Sequence, residues 1–129
     1  MTGLTSASFV SFVEANRHAV VHFWAEWNPC DAEMKDSLEN RVPGNISTKI
    51  AFGSFDTGPA EHWAICREHR VLNLPFLEFY RDGELVKTLI GLYEDDALIG
   101  QGRRQLEAEK TEWTRMTAIM QAMLEGEAR

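Results

Sequence analysis

The sequence predicts an α/β domain with a central mixed sheet flanked by helices and an extended C-terminal helix. Three observations carry this. The run Ala19 to Trp24 is apolar except for His22 and reads as a central strand buried on both faces. Helix-like and strand-like stretches alternate along the first half of the chain. Phe76–Tyr80 and Glu84–Ile90 are strand-like segments joined by Arg81-Asp82-Gly83, a hairpin signal. Alternation followed by a hairpin implies a mixed sheet with helices on both faces.

The elements follow in order. A short strand fits Thr2 to Leu4. Ser6 to Asn16 places Phe9, Val10, Phe12 and Val13 on one side, as an amphipathic helix does. After the central strand, Pro29 to Val42 forms a helix, with Asn28 as N-cap and Pro29 at the first helical position. Pro43-Gly44-Asn45 ends it. Lys49 to Phe55 alternates as a strand, with Ile50 and Phe52 on one face and Ala51, Gly53 and Phe55 on the other. A second helix starts at Gly58-Pro59 and runs to about His69. From Glu94 onward the pattern is helical, weakened by Gly100 and Gly102. Leu106, Trp113, Met116, Met120 and Met123 then fall on a heptad-like stripe with one gap, at Glu109. A right-handed β-α-β crossover sets Asn28 beside the carboxyl end of the central strand, where sites of α/β proteins lie.

With 129 residues, 44% hydrophobic and 26% charged, the chain has the make-up of one soluble domain. It has no run of eighteen apolar residues, and its first residues lack the charged and apolar regions of a signal peptide. Its two cysteines, Cys30 and Cys66, do not make a secreted disulfide framework, so a reducing, cytoplasmic setting is expected. The net charge of −7 disfavours nucleic acid and anionic membrane as partners. Glu26, Asp31, Glu33, Asp36 and Glu39 against Lys35 make the region after the strand locally acidic. His18, His22, Cys30, His62, Cys66 and His69 show no short paired spacing, so no metal is expected. No Ser-His-Asp order, phosphate loop or dinucleotide fingerprint is present, and no cofactor is expected.

Three local signatures resemble the thioredoxin family: Phe23-Trp24-Ala25-Glu26-Trp27 with Pro29-Cys30, Leu74-Pro75, and Phe79 to Val86 followed by Gly91. The resemblance implies the thioredoxin fold over residues 1–106, with 107–129 as a C-terminal helical extension. It also implies a cis bond before Pro75, facing the active-site turn. The family's turn reads Trp-Cys-Gly-Pro-Cys, whereas this chain reads Trp27-Asn28-Pro29-Cys30. The turn then looks one residue short, the attacking cysteine is missing, and Cys30 aligns with the resolving one. His22 replaces the family's buried aspartate.

Dithiol exchange needs one thiolate to attack and a second thiol to release the mixed disulfide, and Cys30 has no partner at that spacing. Two functional readings remain open. In the first, the chain is a protein-binding, chaperone-like module. The resemblance then implies a peptide groove formed by Trp27, Asn28, Pro29, Leu74, Pro75, Phe76 and Ile90. The stripe of Trp113, Met116, Met120 and Met123 either holds a partner or folds back on the domain. A homodimer or larger assembly through that helix is the structural variant. In the second reading the chain is a monothiol redox protein. Cys30, in the first turn of a helix, is the nucleophile, and His22 is its base. If the protein is an enzyme, it is a thiol–disulfide oxidoreductase with a single active-site cysteine.

Overall fold

The structure, a computed structural model, describes residues 1–71, 73–90 and 116–124. Five strands form one sheet: β1 (Thr2–Leu4), β2 (His18–Trp24), β3 (Ala51–Asp56), β4 (Phe76–Arg81) and β5 (Glu84–Ile90). Their order is β1-β3-β2-β4-β5. β1, β3 and β2 run parallel, while β4 and β5 are antiparallel to their neighbours. β2 is central, and His18 to Phe23 are all buried, which explains its unbroken apolar run.

The helices are α1 (Phe9–Ala15), α2 (Pro29–Asn40), α3 (Gly44–Ser47), α4 (Trp63–Glu68) and α5 over residues 116–124. Three local expectations are corrected. α2 stops at Asn40, and Gly44–Ser47 adds a separate helical turn that seats Ile46 in the core. β3 begins at Ala51 rather than Lys49. The segment from Gly58 is not one helix: Ala60–His62 is a 3₁₀ turn after Pro59, and only Trp63–Glu68 is α-helical. The β4–β5 hairpin turns on Asp82 and Gly83, both at positive φ (53° and 82°), as a tight turn of matching twist requires.

The sheet divides the core in two. On one face α2, α3 and α5 pack Met34, Leu38, Ile46, Met116, Met120 and Met123 against Val20, Leu77 and Phe79. On the other, Phe9 and Val13 of α1 join Val21, Phe23, Phe55, Phe76 and Tyr80, with Ile65 and Cys66 of α4 packed against them. The methionine stripe is therefore core: Met120 is fully buried and Met116 is 2% exposed. This corrects the reading of Met116, Met120 and Met123 as a partner-binding face. Folding back buries apolar surface that a free helix would leave in water. Trp113, Leu106 and the boundary at 106/107 lie outside the described residues.

Candidate functional site

Position along the chain builds the site. β2 delivers its last residues to the carboxyl edge of the sheet, and α2 starts five residues beyond Trp24. Asn28 caps that start: its backbone is extended, and its Oδ1 accepts the Cys30 N–H at 3.1 Å. Pro29 occupies the first helical position, where its missing N–H costs nothing. Cys30 follows, half-buried, and then Asp31, which is 3% exposed.

Asp31 is the residue that meets His22. His22 Nε2 lies 3.0 Å from Asp31 Oδ1, and the Ala25 N–H donates to Asp31 Oδ2 at 3.0 Å. The carboxylate thus sits in the first turn of α2, where the helix dipole favours negative charge, and is held by an imidazole and a backbone amide. This corrects the expected Cys30–His22 pair: the partner His22 Nε2 meets is Asp31. It also agrees with a turn that carries no deletion. Laid without a gap, Trp-Cys-Gly-Pro-Cys sets its first cysteine on Asn28 and its second on Asp31. The structure favours that register, because the residue backing onto the buried strand position is Asp31. Sequence reading missed Asp31 because Cys30 drew the alignment onto itself. The signal that could have found it is the unbroken spacing from Phe23-Trp24-Ala25-Glu26-Trp27.

A cleft of about 540 Å³ opens beside the turn, lined by Trp27, Asn28, Thr57, Cys66, Val71, Asn73 and Leu74. Trp27 is 78% exposed at its edge. The Leu74–Pro75 bond is cis, and Pro75 is buried. Among the expected groove residues the cleft therefore gathers Trp27, Asn28 and Leu74. Pro29 is exposed outside it. Phe76 is 2% exposed and stacks edge-on against Phe23 at 5.3 Å, so it is core rather than groove surface. Ile90 is half-buried against the same core and pairs with Phe76. Cys66 is the lining residue that no spacing announced. Burial pushes its thiol up from the ordinary value, the nearby Asp56 carboxylate adds to that, and a backbone hydrogen bond opposes both. Both cysteines are free. Among the described residues no three His, Cys, Asp or Glu side chains cluster as metal ligands, and no helix is long and apolar enough to cross a membrane.

The thioredoxin family profile matches residues 1–102. The chain belongs to the thioredoxin family. It is 31% identical to a thioredoxin of Streptomyces clavuligerus over 91 residues, spanning 70% of this chain and 80% of that protein. It is 29% identical over 89 residues to monothiol glutaredoxin-S17 of Arabidopsis thaliana, a match that spans 68% of this chain and only 17% of that protein. Among solved structures, mitochondrial thioredoxin 3 of Saccharomyces cerevisiae superposes with a TM-score of 0.61 at 25% identity, covering 70% of this chain and 83% of that one. The chain has an exposed Trp27 and a cis Leu74–Pro75 bond, and an ungapped reading of the motif sets its two cysteines on Asn28 and Asp31.

Proposed function

We propose that this thioredoxin-family chain binds an extended polypeptide in the cleft beside Trp27 and does so without dithiol exchange. The observation that carries the reading is the pairing of an open cleft with a turn that has no pair of cysteines at dithiol spacing. Trp27 stands exposed beside the cis-proline loop, while the motif positions hold a helix cap and a buried carboxylate. Nothing in the core explains Trp27, whereas a rigid aromatic at a cleft edge is the usual anchor for a bound chain. Val71, Asn73 and Leu74 line the cleft where such a chain could pair with their backbone. The methionine stripe has no part in this reading, since it is buried in the domain's own core. Two free cysteines suit a reducing compartment, and we place the protein in the cytoplasm on that ground.

The test uses a reduced, alkylated α-lactalbumin chain as probe, with binding followed by fluorescence anisotropy. Trp27→Ala is expected to weaken binding tenfold or more, about 1.4 kcal/mol, with the unfolding midpoint unchanged because the side chain is exposed. Equal affinity for both proteins would remove the reading.

Cys30 supports a second reading. It lies half-buried in the first turn of α2, a place that favours thiolate. There its sulfur would attack a disulfide of a client or of glutathione, form a mixed disulfide and release the other sulfur as a thiol. Cys30→Ser separates the two readings: probe binding survives under the first, and covalent trapping of a disulfide probe disappears under the second.

A further inference from the structure

The end of α4 and the strand β4 are tied together across a stretch of chain that lines the cleft. His69 caps the helix, and its Nδ1 lies 2.9 Å from both oxygens of Glu78 on β4. Between these two residues the chain carries Val71, Asn73 and Leu74 of the cleft wall. The helix ends in a Schellman cap: the Val71 N–H donates to the Cys66 carbonyl at 3.0 Å, and the Arg70 N–H donates to the Arg67 carbonyl at 3.2 Å. Cys66 also lines the cleft, so the cap joins two cleft residues by one hydrogen bond. Closing such a cap needs a left-handed residue after His69, and Arg70 supplies it at φ 55°. Glycine holds that conformation freely, whereas an arginine there is strained.

A strained turn persists where its surroundings hold it, and two things hold this one. Val71 and Leu74 pack on the core that contains Phe9 and Phe23, the rings that flank His69. The His69–Glu78 contact then clips the two ends of the stretch together. The strength of that clip depends on a proton. Protonated, the ring is a cation beside a carboxylate that is 1% exposed. Neutral, it keeps at most an ordinary hydrogen bond, and the buried carboxylate loses its counter-ion. The titratable groups around the ring are Glu78 on β4, Tyr80 behind it and Glu68 on its own helix, while α1 and β2 face it with Phe9 and Phe23. The hydrogen bond to Glu78 raises His69 above its ordinary 6.5, burial opposes this, and the charges of Glu78 and Glu68 add to it. The His69 side chain is 21% exposed, so its proton exchanges with solvent.

We propose that the His69–Glu78 contact is a proton-operated latch on the polypeptide cleft. With the proton on His69 the cap closes and Cys66, Val71 and Leu74 hold the cleft wall; loss of that proton lets the Arg70 turn relax and the wall loosen. The latch rests on the reading of the cleft as a polypeptide site. Because the closed wall keeps the proton, affinity is full below 6.5 and falls as pH rises through the folded value of His69.

Two measurements on the full chain keep the latch and the cleft reading apart. In the free protein, hydrogen exchange of the Val71 amide is corrected for its intrinsic rate and compared with amides of β2. Between about pH 6 and about pH 9 it is expected to speed up about threefold or more relative to them. Affinity for reduced, alkylated α-lactalbumin should weaken by a similar factor over the same range. The probe's own titration is common to all variants, so the difference between variants is what counts. Arg70→Gly relieves the strain at an exposed position and should hold Val71 protection and affinity near their low-pH values throughout. Glu78→Gln should also flatten the pH dependence, at a weakened level. The latch fails if Val71 exchange keeps step with β2 at every pH, or if both variants keep the parent's slope. It fails too if Val71 responds while Trp27-dependent probe binding stays level with pH. Absence of probe binding at every pH overturns the polypeptide reading instead, and the Val71 exchange then decides the latch by itself.

Discussion

Two buried histidine–carboxylate pairs lie on opposite faces of the sheet, each nine residues apart in sequence, and they are built differently. His69 Nδ1 lies 2.9 Å from both oxygens of Glu78, a carboxylate 1% exposed, and the Tyr80 hydroxyl donates to Glu78 Oε1. The His69 ring packs on Phe9 and Phe23, with centroids 5.1 and 5.9 Å away. Every oxygen of that carboxylate is engaged, and the edge of the histidine reaches solvent. The His22–Asp31 pair is sealed on both sides, sits at the carboxyl end of the central strand, and leaves one nitrogen orphaned beside a pocket. A saturated network uses every polar atom it buries, whereas His22 keeps one enclosed nitrogen without a hydrogen-bond partner. The contrast lies in how the polar atoms are used rather than in burial, since both carboxylates are almost fully enclosed.

The strongest way to break the comparison is Asp31→Ala. It strips His22 of its partner and leaves the Ala25 amide unpaired, and removing one member of a buried pair costs about 3–5 kcal/mol. Urea unfolding should show a loss of that size. A loss under 1 kcal/mol would mean that the pair contributes little and that His22 finds another partner. A smaller effect is expected on the other face. Tyr80→Phe removes one charge-assisted hydrogen bond while His69 still holds Glu78, at a cost of about 1.5–3 kcal/mol. If Tyr80→Phe proved costlier than Asp31→Ala, the ranking of the two networks would be reversed.

The pH dependence of stability sharpens the contrast further. The hydrogen bond to Glu78 raises His69 above the ordinary histidine value of 6.5, against a smaller opposing effect of burial. The folded state therefore holds a proton that the unfolded state has released. That contribution is complete below 6.5 and fades as pH rises through the folded value. Unfolding midpoints measured across the neutral to mildly alkaline range should fall with rising pH. Glu78→Gln, which leaves an amide in the carboxylate's place, should flatten the decline. A decline that persists in Glu78→Gln would assign it to another group.

Much of this architecture was legible because it follows from local patterning. The apolar run of β2, the Asn28-Pro29 helix start and the Asp82-Gly83 turn each encode their own geometry. Other features depended on what lay across the fold. The stripe of Met116, Met120 and Met123 has the same spacing whether it meets a partner or the domain's own core, and only the position of α5 decides. Phe76 follows the cis-proline loop in sequence, yet strand alternation carries its side chain into the core beneath it. Glu78 sits mid-strand with apolar neighbours and gives no local hint that His69 and Tyr80 satisfy it. Asp31 was the costliest omission. A cysteine one residue away looked like the chemistry, and a carboxylate beside it looked like part of a solvated acidic face.

The smallest expected effect tests that last point, because Cys30 and Asp31 are neighbours that the two readings of the turn assign differently. If the motif carries a deletion, Cys30 is the buried group behind the turn and its replacement should be felt. If the motif is ungapped, Cys30 is the half-exposed residue between a helix cap and a buried carboxylate. Cys30→Ser should then change stability by less than about 0.5 kcal/mol, as substitutions away from a packed core do. Measured beside Asp31→Ala in the same urea titration, the two neighbours should differ by a factor of several in free energy. A near-silent Cys30→Ser with a crippled Asp31→Ala fixes the register through Asn28 and Asp31. The opposite order would return Cys30 to the place of the second cysteine and make the monothiol reading the stronger one.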